Sequence, residues 1–217
     1  MRVHVFTGGP FGQNGYLAVC EETGEAAGLV PGAAAAGMVR QLSSAGTTPA
    51  AILLTHAHLD HIEGIETIRA AFPDVLIHLH PADRPLYDAA PRQAAAFGLP
   101  PFEVPPPDRE LAAGERIAFG ACALEVRHTP GHSPGHVIFH SALAGLAFVG
   151  DVVFAGSIGR TDLPGGDFRT LIESIRRDVL TLPPGTRLLS GHGEETTVEW
   201  EARHNPFLIP HYGGDLA

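Results

Sequence analysis

The chain contains no lysine: all of its 14 basic residues are arginine. No lysine side chain is available as a Schiff-base former or as a general base. Cysteine is nearly as scarce, with only Cys20 and Cys122, far apart and in no CxxC pair. This excludes a disulfide framework and leaves room for one disulfide at most. No stretch reaches the ~18 apolar residues of a membrane span. The first residues, MRVHVFTGGPFGQNG, lack the long apolar segment of a secretory signal. The expectation is a cytoplasmic protein with no membrane partner. Positive charge is also in deficit, the formal net charge being −10. Non-specific nucleic-acid binding needs a cationic surface, so nucleic acid is not an expected partner.

The 217 residues are 44% apolar and 18% charged. That is a globular composition, long enough for a sizeable core, and one domain over 1–217 is expected. Short apolar runs at 3–7, 16–20 and 27–30 read as strands with turn residues between them. Residues 33–45 are good helix formers stopped by Gly46. A buried strand at 51–54 precedes a histidine-rich stretch, and Ile65, Ile68 and Phe72 continue as a helix. Further strands are expected at 75–80, 122–128, 137–140, 146–150 and 187–190, with short helices and loop over 81–109. Asp167 is placed to cap an amphipathic helix with Phe168, Leu171, Ile172, Ile175, Val179 and Leu180 on one face. A last helix is expected over 196–204. Strands alternating with helices predict a layered α/β fold whose function lies at strand ends.

Four strand ends carry histidine or aspartate, most beside glycine. They are His56-Ala57-His58-Leu59-Asp60-His61, then Gly131-His132, then Gly150-Asp151, then Gly191-His192-Gly193. Glycine lets the chain turn sharply and a ligand approach closely. Groups at neighbouring strand ends converge on one edge of an α/β sheet. Converging imidazoles and carboxylates are costly without a cation between them, and both suit zinc or iron. His56 and His58, two residues apart, project to one side of an extended backbone. Asp60 and His61 lie where a turn aims them elsewhere, so the cluster is able to feed two metals. Asp151, a carboxylate with two oxygens, is the candidate bridge. A lone histidine is usually a surface or satisfied core residue. His78, His80, His128, His136 and His140 are read that way.

This spaced set resembles the metallo-β-lactamase superfamily over nearly the whole chain. The resemblance implies a four-layer αββα sandwich with a metal site at one edge between the sheets. It implies His56, His58 and His132 at one metal, and Asp60, His61 and His192 at a second, with Asp151 bridging. Asp60 and Asp151 are then the catalytic carboxylates. The stretches GDVVFAGSIGRTDLPGGDFRTLIESI, TPGHSPGH and LSGHGEETT, with Asn205-Pro206-Phe207-Leu208, look like the short bacterial members of the glyoxalase II branch. That likeness implies a metal-dependent thioesterase acting on S-acylglutathione, such as S-lactoylglutathione, through a metal-bridging hydroxide. Two divalent ions are implied, zinc foremost, with iron or manganese as alternatives. The rival reading is a persulfide dioxygenase with one iron on His56, His132 and Asp151, acting on glutathione persulfide. Val30-Pro31-Gly32 stands where most relatives carry Asp-Pro-Gly. Arg160 is read first as the partner of Asp162 and second as a carboxylate binder, and His211 and Tyr212 as candidates for the mouth of the site. The oligomeric state is not legible.

Overall fold

The computed structural model describes residues 1–96, 98–99 and 102–209. Its first sheet holds β1 (Arg2–Gly8), β2 (Gln13–Val19), β3 (Ala26–Leu29), β4 (Pro49–Leu53), β5 (Leu76–Leu79) and β6 (Arg109–Glu110) in that spatial order. Strands β1 to β3 pair antiparallel, and β3 to β6 pair parallel. The second sheet comprises β7 (Arg116–Phe119), β8 (Cys122–His128), β9 (Val137–Ser141), β10 (Leu146–Gly150), β13 (Arg187–Ser190) and β14 (Thr196–Thr197). There β10 and β13 run side by side and parallel, and the other neighbours are antiparallel. Strands β11 (Val153–Phe154) and β12 (Ser157–Ile158) form a separate hairpin.

Period-two alternation assigns the faces. In β4, Ala51 and Leu53 point into a cluster shared with Phe119, Val126, Phe139 and Phe148 of the other sheet. Their neighbours Ile52 and Leu54 point the other way, onto Met38, Ile62, Ile65 and Ile68. Those four belong to helices α1 (Ala35–Ala45), α2 (Leu59–Ile62) and α3 (Ile65–Ala71). Tyr87 and Ala90 of α4 (Arg84–Ala96) join the same cluster. On the second sheet, Ala147, Val149 and Leu188 face Leu171, Ile172 and Val198 of α5 (Phe168–Ser174) and α6 (Val198–His204). Both faces of each sheet are therefore covered, which is why the central strands read as unbroken apolar runs. The result is an αββα sandwich of the α/β class, with core clusters between and outside the sheets.

Several elements differ from the sequence reading. The short helices expected over 81–109 are a 3₁₀ turn at Pro81–Asp83 running into the 13-residue α4, with Pro91 inside it. Tyr87, Ala90 and Ala94 are buried at helical spacing on one side, which offsets the ~3 kcal/mol interior cost of proline. Asp167 caps α5 as expected, its Oδ1 accepting from the Thr170 amide at 2.7 Å. The helix then widens to π geometry over Ile175–Val179, and both of those apolar residues stay buried. Where the last helix was expected, the two residues of β14 come first, and the Thr197 side chain caps α6. Strands β6, β7, β11 and β12 were not anticipated. Three of them have two residues, too few to show a period. His211 and Tyr212 lie outside the described residues.

Candidate metal centre

One edge of the sandwich gathers the C-terminal ends of β4, β8, β10 and β13. In the parallel pair, Gly150 is in register with Ser190, so the next residues, Asp151 and Gly191-His192, emerge together. The two sheets are tied at this edge. Val137 N–H donates to Thr55 C=O at 2.8 Å, and Asn14 N–H to Gly191 C=O at 2.7 Å. The structure brings all seven predicted ligands together in three overlapping groups: His56, His58 and His132; His56, His61 and Asp151; Asp60, His61 and His192. Within each group the ligand atoms lie within 4.8 Å of one another.

Hydrogen bonds select the nitrogen that faces the centre. His132 Nδ1–H donates to Arg160 C=O at 2.8 Å, which leaves Nε2 free to ligate. His192 Nδ1–H donates to Phe11 C=O at 3.0 Å, and again Nε2 faces inward. His56 Nδ1 lies 3.1 Å from Thr55 Oγ1, and its Nε2 is buried with no hydrogen-bond partner. His58 Nδ1 and His132 Nε2 are 2.8 Å apart. His61 Nε2 lies 3.3 Å from both His192 Nε2 and Asp151 Oδ1, and His192 Nε2 lies 3.3 Å from Asp60 Oδ2. Asp151 Oδ2 is 3.4 Å from His192 Nε2 and 3.6 Å from His132 Nε2, so this carboxylate reaches toward both halves.

The donor set fits divalent cations. An orphaned, buried His56 Nε2 and converging imidazole nitrogens need an electron-pair acceptor. Burial, reinforced by neighbouring His61, holds the His56 imidazole well below its usual range. Burial and His132 bring His58 down to about 3, so both histidines offer lone pairs at neutral pH. Burial opposes charge on Asp151, but His61 and His192 outweigh it and keep the carboxylate ionised. One set of residues, His56, His58 and His132, would hold one ion. Asp60, His61 and His192 would hold another, and Asp151 would serve both.

Two supports escaped the sequence reading. Asp83, fully buried at the end of the 3₁₀ turn, accepts from Ala57 N–H and Ser133 O–H through Oδ2, at 3.0 and 2.8 Å. Its Oδ1 accepts from Gly135 N–H at 2.6 Å. The loops bearing His56, His58 and His132 are thus held by one carboxylate. His136, read as structural, accepts the Asp151 N–H on Nε2 at 3.1 Å and stacks on His56 at 4.8 Å. Neither role has a local sequence signal, because both partners are distant in the chain. Arg160 pairs with Asp162 through two bonds, at 2.7 and 2.8 Å, as first expected. Val30, just before Pro31-Gly32, is buried with φ +42°. Its carbonyl is held by Gln13 Nε2 at 3.0 Å, and that nitrogen also lies 3.5 Å from His61 Nδ1.

A fold with two facing sheets, and a histidine–aspartate centre on the edge between them, defines a class of metal-dependent hydrolases. The chain belongs to the metallo-β-lactamase superfamily, whose family model matches residues 23–192. It is 36% identical to the hydroxyacylglutathione hydrolase GloC of Haemophilus influenzae, over 96% of this chain and 98% of that protein. Among solved structures it is similar to the B3 metallo-β-lactamase BLEG-1, with TM-score 0.89 and 38% identity, covering 96% of this chain and all of that one. It is also similar to TTHA1623 in a di-iron-bound form, with TM-score 0.86 and 43% identity, covering 94% and 100%. No helix among the described residues is long and apolar enough to cross a membrane.

Proposed function

We propose that the chain is a binuclear thioesterase that hydrolyses S-acylglutathione, S-lactoylglutathione included. The observation that carries this reading is the pair of donor groups, three histidines beside Asp60-His61-His192, joined at Asp151 beneath an open cavity. The relative named for hydroxyacylglutathione hydrolysis supports the choice of substrate. Bound divalent ions supply Lewis acidity, which lowers the pKa of water and polarises a carbonyl. The chain does the rest. His132 and His192 are locked in one tautomer by Arg160 C=O and Phe11 C=O, so their donor atoms are preorganised. Asp60 lines the cavity, where its carboxylate orients the attacking water by accepting a hydrogen. His58, His132, Asp151 and His192 line the floor of the cavity, where they would hold the ions against the thioester carbonyl. No protein nucleophile is required: the chain has no lysine, and neither cysteine lines this cavity.

Zinc is the proposed ion, with iron or manganese as alternatives of matching ligand chemistry. The cytoplasm is the proposed compartment, in keeping with two free cysteines. The test is metal content of the purified protein together with loss of thioester absorbance from S-lactoylglutathione. Two ions per chain with hydrolysis support the reading. One iron, oxygen uptake and sulfite release from glutathione persulfide overturn it in favour of the dioxygenase.

A further inference from the structure

The cavity above the candidate centre has a volume of about 660 Å³. Ligand sites of this size hold molecules much larger than a three-carbon acyl group. Beyond the metal-facing residues, most of its described lining is hydrocarbon, including Phe11, Leu86, Phe154, Ile158, Leu163 and Pro164. Leu86 comes from α4, and Phe154 and Ile158 from the β11–β12 hairpin. That hairpin is fixed from behind. The buried Glu201 carboxylate accepts Gly156 N–H at 3.1 Å, and Asn205 Nδ2 donates to Ser157 C=O at 2.9 Å. The apolar wall is therefore built in.

Polar contacts are few. Apart from the candidate ligands, Gln93, Ser157 and Arg160 are the polar side chains among the described lining residues. Arg160 is the one cation there, and Asp162 already holds its guanidinium through two bonds. Glutathione carries two carboxylates and one ammonium, so the described lining offers its thiol half little charge complementarity. Among the described lining residues, a 2-hydroxyl on the acyl group likewise meets few hydrogen-bond partners. Selection falls to apolar contact with the acyl half.

We propose that the site takes thioesters with hydrocarbon acyl groups, straight-chain or aryl, in preference to short hydroxylated ones. This rests on the thioesterase reading. The reaction is simple hydrolysis: water adds to the carbonyl carbon, the C–S bond breaks, and thiol and carboxylic acid leave.

The experiment uses the metal-loaded enzyme and a glutathione series: lactoyl, acetyl, butanoyl, hexanoyl and benzoyl thioesters. Each buried methylene raises kcat/KM by about fourfold until the cavity is filled. Hexanoyl and benzoyl then exceed lactoyl by at least tenfold. Replacing glutathione by N-acetylcysteamine, which lacks both carboxylates, changes kcat/KM for the hexanoyl ester by less than about fivefold. Leu86→Ser and Phe154→Ser flatten the rise with chain length, a readout that a purely structural defect would not move. A flat series, or lactoyl fastest in an active enzyme, overturns the acyl preference and leaves the thioesterase standing. No hydrolysis of any thioester overturns the thioesterase reading itself.

Discussion

Asp83 Oδ2 accepts the Ala57 amide at 3.0 Å, and Ala57 is the residue between His56 and His58. All three partners of this buried carboxylate are donors, and two sit on the loop that carries His132. A single side chain therefore ties together the loops that carry His56, His58 and His132. Asp83→Asn turns an amide N–H₂ toward these donors. The variant is expected to lose about 2 kcal/mol of stability, because charge-assisted bonds are lost. Metal affinity is expected to fall 10–100-fold, as for other groups that orient ligands. Thermal melts of the metal-free protein and competition with a chelator measure the two effects. A variant with wild-type affinity for both ions refutes the role.

Asp151 is the residue on which both halves depend. Asp151→Ala is expected to reduce bound metal from two ions to one or none. Thioesterase activity falls by about three orders of magnitude, the size of several kcal/mol of lost charge stabilisation. Metal analysis and kcat/KM on one preparation decide it. Full occupancy with wild-type activity removes the bridging assignment.

His136 acts through Asp151. His136→Phe keeps the ring on His56 but leaves the Asp151 N–H buried without an acceptor, at a cost of about 1–3 kcal/mol. The expected signature is a kcat loss with little change in KM, since the substrate does not touch His136. His136→Gln, which restores an acceptor, recovers part of the loss. Steady-state kinetics on the three proteins separate positioning from binding.

Metal uptake is expected to release protons. Burial disfavours charge on His192, but Asp151 and Asp60 outweigh it and lift the imidazole to about 10 in the metal-free chain. The charged form must lose its proton to ligate, so affinity rises with pH across the neutral range. The sign for stability is the opposite. With the folded pKa raised above 6.5, the contribution of His192 to the metal-free protein is complete below 6.5. It is lost as pH rises through about 10. Calorimetry in buffers of different ionisation enthalpy reads the released protons. Melts of wild type and His192→Asn between pH 6 and 10.5 read the stability, and parallel curves for the two defeat the prediction.

Gly191 has no room for a side chain: a Cβ there meets Asp151 Oδ1 and His61 Cε1. Gly191→Ala is expected to displace both groups and to lower metal content and activity at least tenfold, with the α/β fold retained by circular dichroism. Unchanged metal content contradicts the tight packing of the centre.

The candidate cluster was legible because it is written in strand ends: an apolar run, then histidine or aspartate, with glycine alongside at His132, Asp151 and His192. The strand at β4 was legible as an apolar run, and its period of two separates Ala51 and Leu53 from Ile52 and Leu54. What escaped was stored in long-range pairing. Asp83 and Gly135 are 52 residues apart, and His136 meets Asp151 through a backbone amide that no side-chain pattern announces. Short helices were expected over 81–109; the 13-residue length of α4 escaped because proline and alanine composition outvoted the spacing of Tyr87, Ala90 and Ala94. The acyl-facing wall was invisible for a different reason. Phe154 and Ile158 sit in a hairpin of two-residue strands, too short to carry a period.

The centre draws Asp60 and His61 from one sheet and Asp151 and His192 from the other. His61 and His192 are separated by 131 positions. A growing chain therefore owns the HAHLDH stretch long before it owns a site. The second candidate seat, Asp60, His61 and His192, has no complete donor set until residue 192 has been made and the two halves have docked. On the proposed two-ion reading, cation capture belongs to the close of folding rather than its start, and unfolding is coupled to release of the ions from donors on both halves.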